Sequence, residues 1–328
     1  MVPRAAPGDP ERDPLVHRDA SRHARALGGI GVPQAVAIPL RVATAPKVPF
    51  LSLDTVWFQV AGTLCNLSCN HCFISCSPTH HAHEIMTRAE VRPYLDEAES
   101  LGVKDFYFTG GEPFLNRELP EILEDTLRIA PATVLTNATL ITKVRADDLA
   151  RLSAGSRYSL EARVSLDGLT PETNDPIRGE GSFEAALLGL RELARAGFHP
   201  IITATQTWSD GEDGRLRERF HGFLTDLGLG RPRLKILPLF RIGREAERTH
   251  GYAPAERLTE EHMRGFDPWN LQCSTSRMVT SRGVYVCPIL IDSPGARMGA
   301  TLRDTMRPFP LAHGSCHTCW ATGASCRN

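Results

Sequence analysis

Cys65, Cys69 and Cys72 stand together in the run CNLSCNHC. Three thiolates on one tight loop can hold a cubane iron–sulfur cluster by three of its irons, because thiolate is the usual ligand of such clusters. The fourth iron then has no protein ligand, and an open iron is where a small molecule can bind. A structural zinc knuckle is the competing reading, but it asks for four closed ligands. His71 completes such a set only by facing inward between Cys69 and Cys72.

Other residue groups could serve the same chemistry. Gly110-Gly111-Glu112-Pro113 follows an apolar run directly. Read locally it is a strand-ending turn; read functionally, two residues without a Cβ let backbone approach a ligand, and Glu112 offers an acceptor to an ammonium. Thr136-Asn137 and Ser165-Leu166-Asp167-Gly168 are further polar exits from apolar runs, equally consistent with turn chemistry. Alternation in LEARVSL puts Arg163 and Ser165 on one face, opposite Val164 and Leu166. Arg163 and Arg178 are the nearest guanidinium groups able to grip a carboxylate, with Glu161 as the competing partner for Arg163.

The run CNLSCNHCF resembles the signature of radical S-adenosylmethionine (SAM) enzymes, C-x3-C-x2-C with an aromatic residue or His before the last Cys. The resemblance implies a [4Fe–4S] cluster on Cys65, Cys69 and Cys72 whose open iron is chelated by the amino and carboxylate groups of SAM. One-electron reduction of the sulfonium then gives methionine and a 5′-deoxyadenosyl radical, which removes a hydrogen atom from substrate. The turn at 110–113 is similar to the element of that family that holds the SAM amino group. By the same resemblance, Asn137, Ser165 and Asp167 contact the ribose or carboxylate, and the Phe73 backbone meets the adenine. Arg163 and Arg178 are candidates for the SAM carboxylate. A flavodoxin- or ferredoxin-type electron donor is implied as well.

Cys273, Cys287, Cys316, Cys319 and Cys326 form a second group. Four thiolates there suit either zinc or an iron–sulfur cluster, and spacing alone favours neither. The resemblance is to the auxiliary-cluster domains called SPASM and, in shorter form, Twitch. This chain departs from the SPASM spacing: three residues separate Gly283 from Cys287, and six separate Cys319 from Cys326. One [4Fe–4S] cluster held by Cys273, Cys287, Cys316 and Cys319 is therefore expected. Cys326 is then a spare thiol, an alternative ligand or a hydrogen donor. Cys76 and the histidines at 80, 81 and 83 are read as loop residues.

The elements that must position these groups alternate from residue 55 onward. Strands are expected at 55–60, 105–109, 133–135, 160–166, 200–205 and 234–237. Helices are expected at 118–129, 146–152, 183–196 and 216–227, with a further one opened by the capping box Thr87-x-x-Glu90. Such alternation gives right-handed βαβ units and a parallel sheet. Between an open barrel and a doubly wound sheet, the family resemblance decides: α/β, a partial (β/α)6 TIM-like barrel with a small cysteine-rich C-terminal domain. The cysteine loop then falls at the carboxyl ends of the strands, where such barrels carry their sites. The expected division is a proline-rich extension at 1–48 with a short helix near 17–27, a core at 49–245, a linker at 246–270 and an auxiliary domain at 271–328.

A formal net charge of −1 over 328 residues leaves no field to recruit nucleic acid, and no apolar run is long enough to span a membrane. Without a secretory pattern, clustered cysteines read as metal ligation in a reducing compartment, which places the chain in the cytoplasm. The family resemblance therefore leads to oxidation of a small molecule or carbohydrate, with peptide or protein modification second. The lead-in is too short and proline-rich for a winged-helix domain that binds a leader peptide. A non-catalytic zinc scaffold is the reading from a different class, and an RNA modifier lacks a basic signal.

Overall fold

Runs rich in β-branched and aromatic residues form the strands, with ranges close to those the alternation predicts. A computed structural model describes residues 45–323. The proposed helix near 17–27 and Cys326 lie outside the described residues. In chain order the strands are β1 (Lys47–Val48), β2 (Thr55–Gln59), β3 (Asp105–Thr109), β4 (Ala132–Thr136), β5 (Leu160–Ser165), β6 (Ile201–Thr205), β7 (Arg233–Leu237), β8 (Ser276–Thr280), β9 (Gly283–Tyr285), β10 (Arg297–Gly299) and β11 (Phe309–Pro310). The helices are α1 (Arg88–Ser100), α2 (Leu119–Thr126), α3 (Lys143–Ala154), α4 (Pro171–Arg178), α5 (Ser182–Arg195), α6 (Asp213–Asp226), α7 (Arg244–Thr249) and α8 (Gly314–Thr322).

β2 to β7 pair in sequence order, all parallel, and the sheet stays open beyond β7. This is the partial six-unit barrel. The capping box forms as expected: Glu90 N donates to Thr87 Oγ1 at 3.2 Å and Thr87 N donates to Glu90 Oε2 at 2.7 Å. None of the helices among the described residues is long and apolar enough to cross a membrane.

Strand periodicity splits the aromatic residues between two cores. Phe58 stacks on Phe108 at 5.5 Å on the face covered by helices, where α1 and α2 supply Val91, Leu95, Ile122 and Leu123. On the other face Trp57 stacks on Tyr107 at 4.3 Å, and there the C-terminal segment supplies Met278, Tyr285, Val286, Ile289 and Leu290. That second core is built largely by residues beyond 257, including Leu258 from the expected linker.

The C-terminal segment is continuous with the barrel. β8 lies parallel to β2 with Trp57 opposite Met278, and β9 and β10 extend the sheet antiparallel from it. All described residues fall in one compact unit, so 271–323 shares both sheet and core with the barrel. Sequence alternation did not reveal β8 as a seventh parallel strand, because its partner lies over 200 residues away and only short 3-10 turns, not an α-helix, immediately precede it.

Candidate active site

β2 runs into the cysteine loop, which is anchored at several points. Cys65 N donates to Ser77 O at 3.1 Å, Cys72 N to Cys69 O at 3.2 Å and Asn70 N to Ile177 O at 2.8 Å. Cys65, Cys69 and Cys72 all line one cavity at the carboxyl ends of the parallel strands. Phe73, Gly110, Gly111, Asn137, Arg163 and Ser165 line it too, and so does Arg178. Nine of the thirteen residues expected at the cluster and cofactor therefore share the wall with Arg178, while Glu112, Pro113 and Asp167 stand behind it.

The glycines of the 110–113 turn serve the loop as well as the cavity. A Cβ on Gly111 would overlap the Leu64 carbonyl and lie 2.8 Å from Cys65 Cβ. Gly111 N donates to Gly62 O at 2.9 Å and Glu112 N to Leu64 O at 3.0 Å, so the turn is stitched to the loop by its backbone. Glu112 itself is fully buried. Its Oε1 accepts from Thr136 Oγ1 at 2.7 Å and Phe114 N at 3.2 Å, and its Oε2 accepts from Asn137 N at 2.8 Å. Asn137 in turn donates from Nδ2 to Asn66 Oδ1 at 2.9 Å and faces Cys65 Sγ at 3.8 Å. Glu112 thus fixes the β4 exit against the first cysteine.

Burial pushes the Glu112 carboxyl up to about 7, while the Asn137, Thr136 and Phe114 donors pull the other way. A carboxyl raised on folding holds its proton in the native state and releases it in the unfolded one. Stability contributed by that proton is therefore full below the ordinary value of 4.5 and lost as pH rises through about 7. Cluster-free protein should lose stability between about pH 4.5 and pH 7, and Glu112→Gln should flatten that slope. Parallel slopes in urea titrations of the two proteins would contradict this assignment.

His71 lines the cavity beside the cysteines, and its ring nitrogen meets an acid. Its Nε2 lies 2.6 Å from Asp167 Oδ2, and Arg178 Nε is also 2.6 Å from that oxygen. Asp167 Oδ1 accepts from Thr205 N at 2.6 Å. Burial alone would raise the Asp167 carboxyl, but Arg178 and His71 outweigh it and hold it well below the usual carboxylate range. Arg178, from the last turn of α4, also accepts a hydrogen bond from Cys69 Sγ on its carbonyl at 3.8 Å. Arg163 donates from Nε to Thr203 Oγ1 at 2.7 Å, while Glu161 pairs with Arg233 at 2.9 Å.

Arg244 is a further residue that holds the cysteine loop. At the start of α7, it donates to the carbonyls of Cys69 at 2.6 Å and of Ser75 and Cys76 at 3.1 Å. Gly243 before it has φ +59°, and a Cβ there would overlap the Phe73 carbonyl. That Gly-Arg pair was the available signal.

The thiols differ in readiness to ligate, because the thiolate is the ligand form. Burial pushes Cys65 up to about 12 and also raises Cys69. Cys72 is drawn down to about 6, chiefly by a hydrogen bond from the Cys76 thiol, and Cys76 is raised by the same contact. Cys76, read as a loop residue, therefore supports a site cysteine.

Four C-terminal cysteines meet at a second cavity. Cys273, Cys287, Cys316 and Cys319 line it together with Ile289 and Phe309. β9 delivers Cys287 two residues past its end, and α8 carries Cys316 and Cys319 three residues apart, on one face. Burial pushes Cys273 up to about 12 and Cys316 up to about 11. Pro288, next to Cys287, lines the first cavity, and Ile289 lines both. Among the described residues, no three His, Cys, Asp or Glu side chains are grouped as ligands of a single metal ion. Both donor sets fit a polynuclear group, whose thiolates bind different irons.

Comparison with known proteins agrees with this architecture. Residues 60–213 match the family model of the Radical SAM superfamily, a segment that holds the cysteine loop and β3 to β6. Fe-coproporphyrin III synthase of Methanosarcina barkeri is 37% identical over 138 residues, which are 40% of this chain and 32% of that protein. Mycofactocin maturase MftC of Mycobacterium tuberculosis is 36% identical over 135 residues, 41% of this chain and 33% of that protein. The chain thus spans about a third of the length of these curated relatives. SuiB of Streptococcus suis has been solved with SAM and with its precursor peptide SuiA. It superposes at TM-score 0.59 in both states, at 17% and 18% identity, covering 79% of this chain and 67% and 66% of SuiB. The family model thus matches just under half of the chain, and SuiB shares its fold.

Proposed function

We propose that this chain is a radical SAM enzyme carrying a second, auxiliary cluster and that it oxidises a peptide side chain. The observation that carries the class is the meeting of Cys65, Cys69 and Cys72 with Gly110, Gly111 and Arg163 on one cavity at the carboxyl ends of the strands. A [4Fe–4S] cluster and SAM bound there would supply a 5′-deoxyadenosyl radical that removes a hydrogen atom from substrate. Arg163 is suited to the SAM carboxylate, Phe73 to the adenine, and Asn137 and Ser165 to the remaining polar groups. Glu112 and Asp167 act as positioning residues through Asn137, His71 and Arg178.

The second cavity suits an auxiliary [4Fe–4S] cluster on Cys273, Cys287, Cys316 and Cys319, a Twitch-like arrangement with no open iron. Its four ligands suit it to take an electron from the substrate radical, and the wall formed by Pro288 and Ile289 lies between the two cavities. Cys326 keeps its place as a spare thiol or alternative ligand. A flavodoxin- or ferredoxin-type donor and a cytoplasmic setting complete the reading.

For the substrate, peptide modification now precedes small-molecule or carbohydrate oxidation. Trp57, Leu135, Leu237, Pro238, Phe240 and Ile289 give the first cavity an apolar wall that suits a side chain better than a polyhydroxylated sugar. Likeness to MftC, a maturase, supports the same order.

The test is 5′-deoxyadenosine formation by anaerobically reconstituted protein given SAM and dithionite, with Cys65→Ala as control. Product from the parent and none from the variant is expected. Iron-replete protein that neither binds nor cleaves SAM would overturn the class.

A further inference from the structure

We propose that Arg277 is a fixed counter-charge for the auxiliary cluster and holds that cluster's reduction potential up. This rests on the auxiliary-cluster reading above. Arg277 sits in β8, hydrogen-bonded to the carbonyl of Cys273 in the wall of the second cavity, and its side chain is fully buried. Its donors go to backbone carbonyls alone. Nε and Nη2 reach Thr305 O at 3.0 and 2.8 Å, Nη1 reaches Cys273 O at 2.7 Å and Ser276 O at 2.6 Å, and Nη2 also reaches Arg307 O at 3.3 Å. The Phe50 ring lies 4.7 Å from the guanidinium carbon. Among the described residues, none of the ion pairs includes Arg277, whereas the other deeply buried arginine with a cysteine neighbour, Arg178, is matched by Asp167.

A guanidinium withdrawn from water and given only neutral acceptors is costly, so such charges are normally paired. Here the opposite charge would come from the cysteines. Arg277 holds the carbonyl of Cys273 directly, and its charge acts on both Cys273 and Cys287. A cubane held by four thiolates is anionic and becomes more so when it accepts an electron. A nearby fixed positive charge therefore favours the reduced form. The carbonyl clamp keeps that charge in place in both oxidation states, because four of its five bonds go to β8 and the 303–307 turn and only the fifth to the ligand residue Cys273.

The experiment uses the full chain with Cys65→Ala, Cys69→Ala and Cys72→Ala together, so that only the auxiliary site can load. Iron and acid-labile sulfide first establish that site. The cluster is then titrated with dithionite through redox mediators and followed by EPR, in this parent and with Arg277→Gln or Arg277→Lys added. At a potential that half-reduces the parent, the reduced-to-oxidised ratio should fall about tenfold or more in the glutamine protein, a midpoint about 59 mV lower for one electron. The lysine protein, which keeps the charge but loses the fork, should stay near the parent. Equal potentials in all three, or equal falls in both variants, would overturn the assignment. Should glutamine prevent loading, the lysine protein decides: iron content and potential near the parent support a charge role, and loss of iron overturns it. A parent without iron and sulfide would instead remove the auxiliary cluster itself.

Discussion

Asp167→Asn should cost the folded protein about 3–5 kcal/mol, the range for breaking a buried ion pair by removing one partner. The carboxylate is fully buried and serves His71, Arg178 and the Thr205 amide at once. Asparagine keeps the size and can still accept from Thr205 N. It cannot neutralise Arg178, whose side chain is only 9% exposed, and the stranded guanidinium accounts for most of the loss. The consequence reaches the cysteine loop, because His71 stands between Cys69 and Cys72 and the Arg178 carbonyl accepts from Cys69. Iron incorporation should fall along with stability. Since the Asp167 carboxyl is depressed on folding, its contribution is present above the ordinary 3.8 and lost as pH falls further. Urea unfolding at neutral pH checks the size, and a loss under about 1 kcal/mol would show that the pair is not what holds this corner. Asp167→Asn with Arg178→Met should recover part of the loss, because it removes the unpaired charge.

Gly111→Ala should disrupt the cysteine loop without removing any cysteine. Its methyl would overlap the Leu64 carbonyl, a backbone atom that cannot swing aside as a side-chain tip can. Inserting a methyl into packed surroundings costs about 1–3 kcal/mol, and here relief requires the cysteine loop to move as a body. The backbone bonds from Gly111 to Gly62 and from Glu112 to Leu64 would lengthen, and Cys65 would shift against Cys69 and Cys72. The expected result is a folded protein with much reduced iron content and SAM binding after reconstitution. Gly102→Ala is the control: it too is a loop glycine after an element, but it has open space around its Cβ position, and its φ of +73° strains only itself. Normal iron loading in Gly111→Ala would mean that the loop is not registered by this turn.

The two substitutions show where reading the chain succeeds and where it stops. The cysteine loop, the 110–113 turn and the six strands were legible because each is local. Close spacing gathers thiolates, and a glycine pair behind a strand marks a tight approach. Alternation of apolar runs with helical periods sets parallel units. Arg163 and Ser165 followed from the same logic, since a strand's period of two puts both on the cavity face. What Gly111 approaches was not legible. The missing Cβ makes room for Leu64 and Cys65, a contact across two loops of the fold.

The sequence by itself determined the donor types, their grouping into two sets along the chain and the βα alternation that turns the first set toward one end of a barrel. Tertiary structure decided which charged side chains reach the cavity and which hold it from behind. Glu112 and Asp167, which the family resemblance offers as cofactor contacts, are held by neighbouring donors: Thr136 and Asn137 for the one, Arg178 and His71 for the other. It also decided that the C-terminal cysteines share the barrel's own core. β8 pairs with β2 over more than 200 residues, and no local pattern encodes a partner that distant. Such pairing is set by burying Trp57, Tyr107 and Met278 together, a gain that exists only once the barrel has formed.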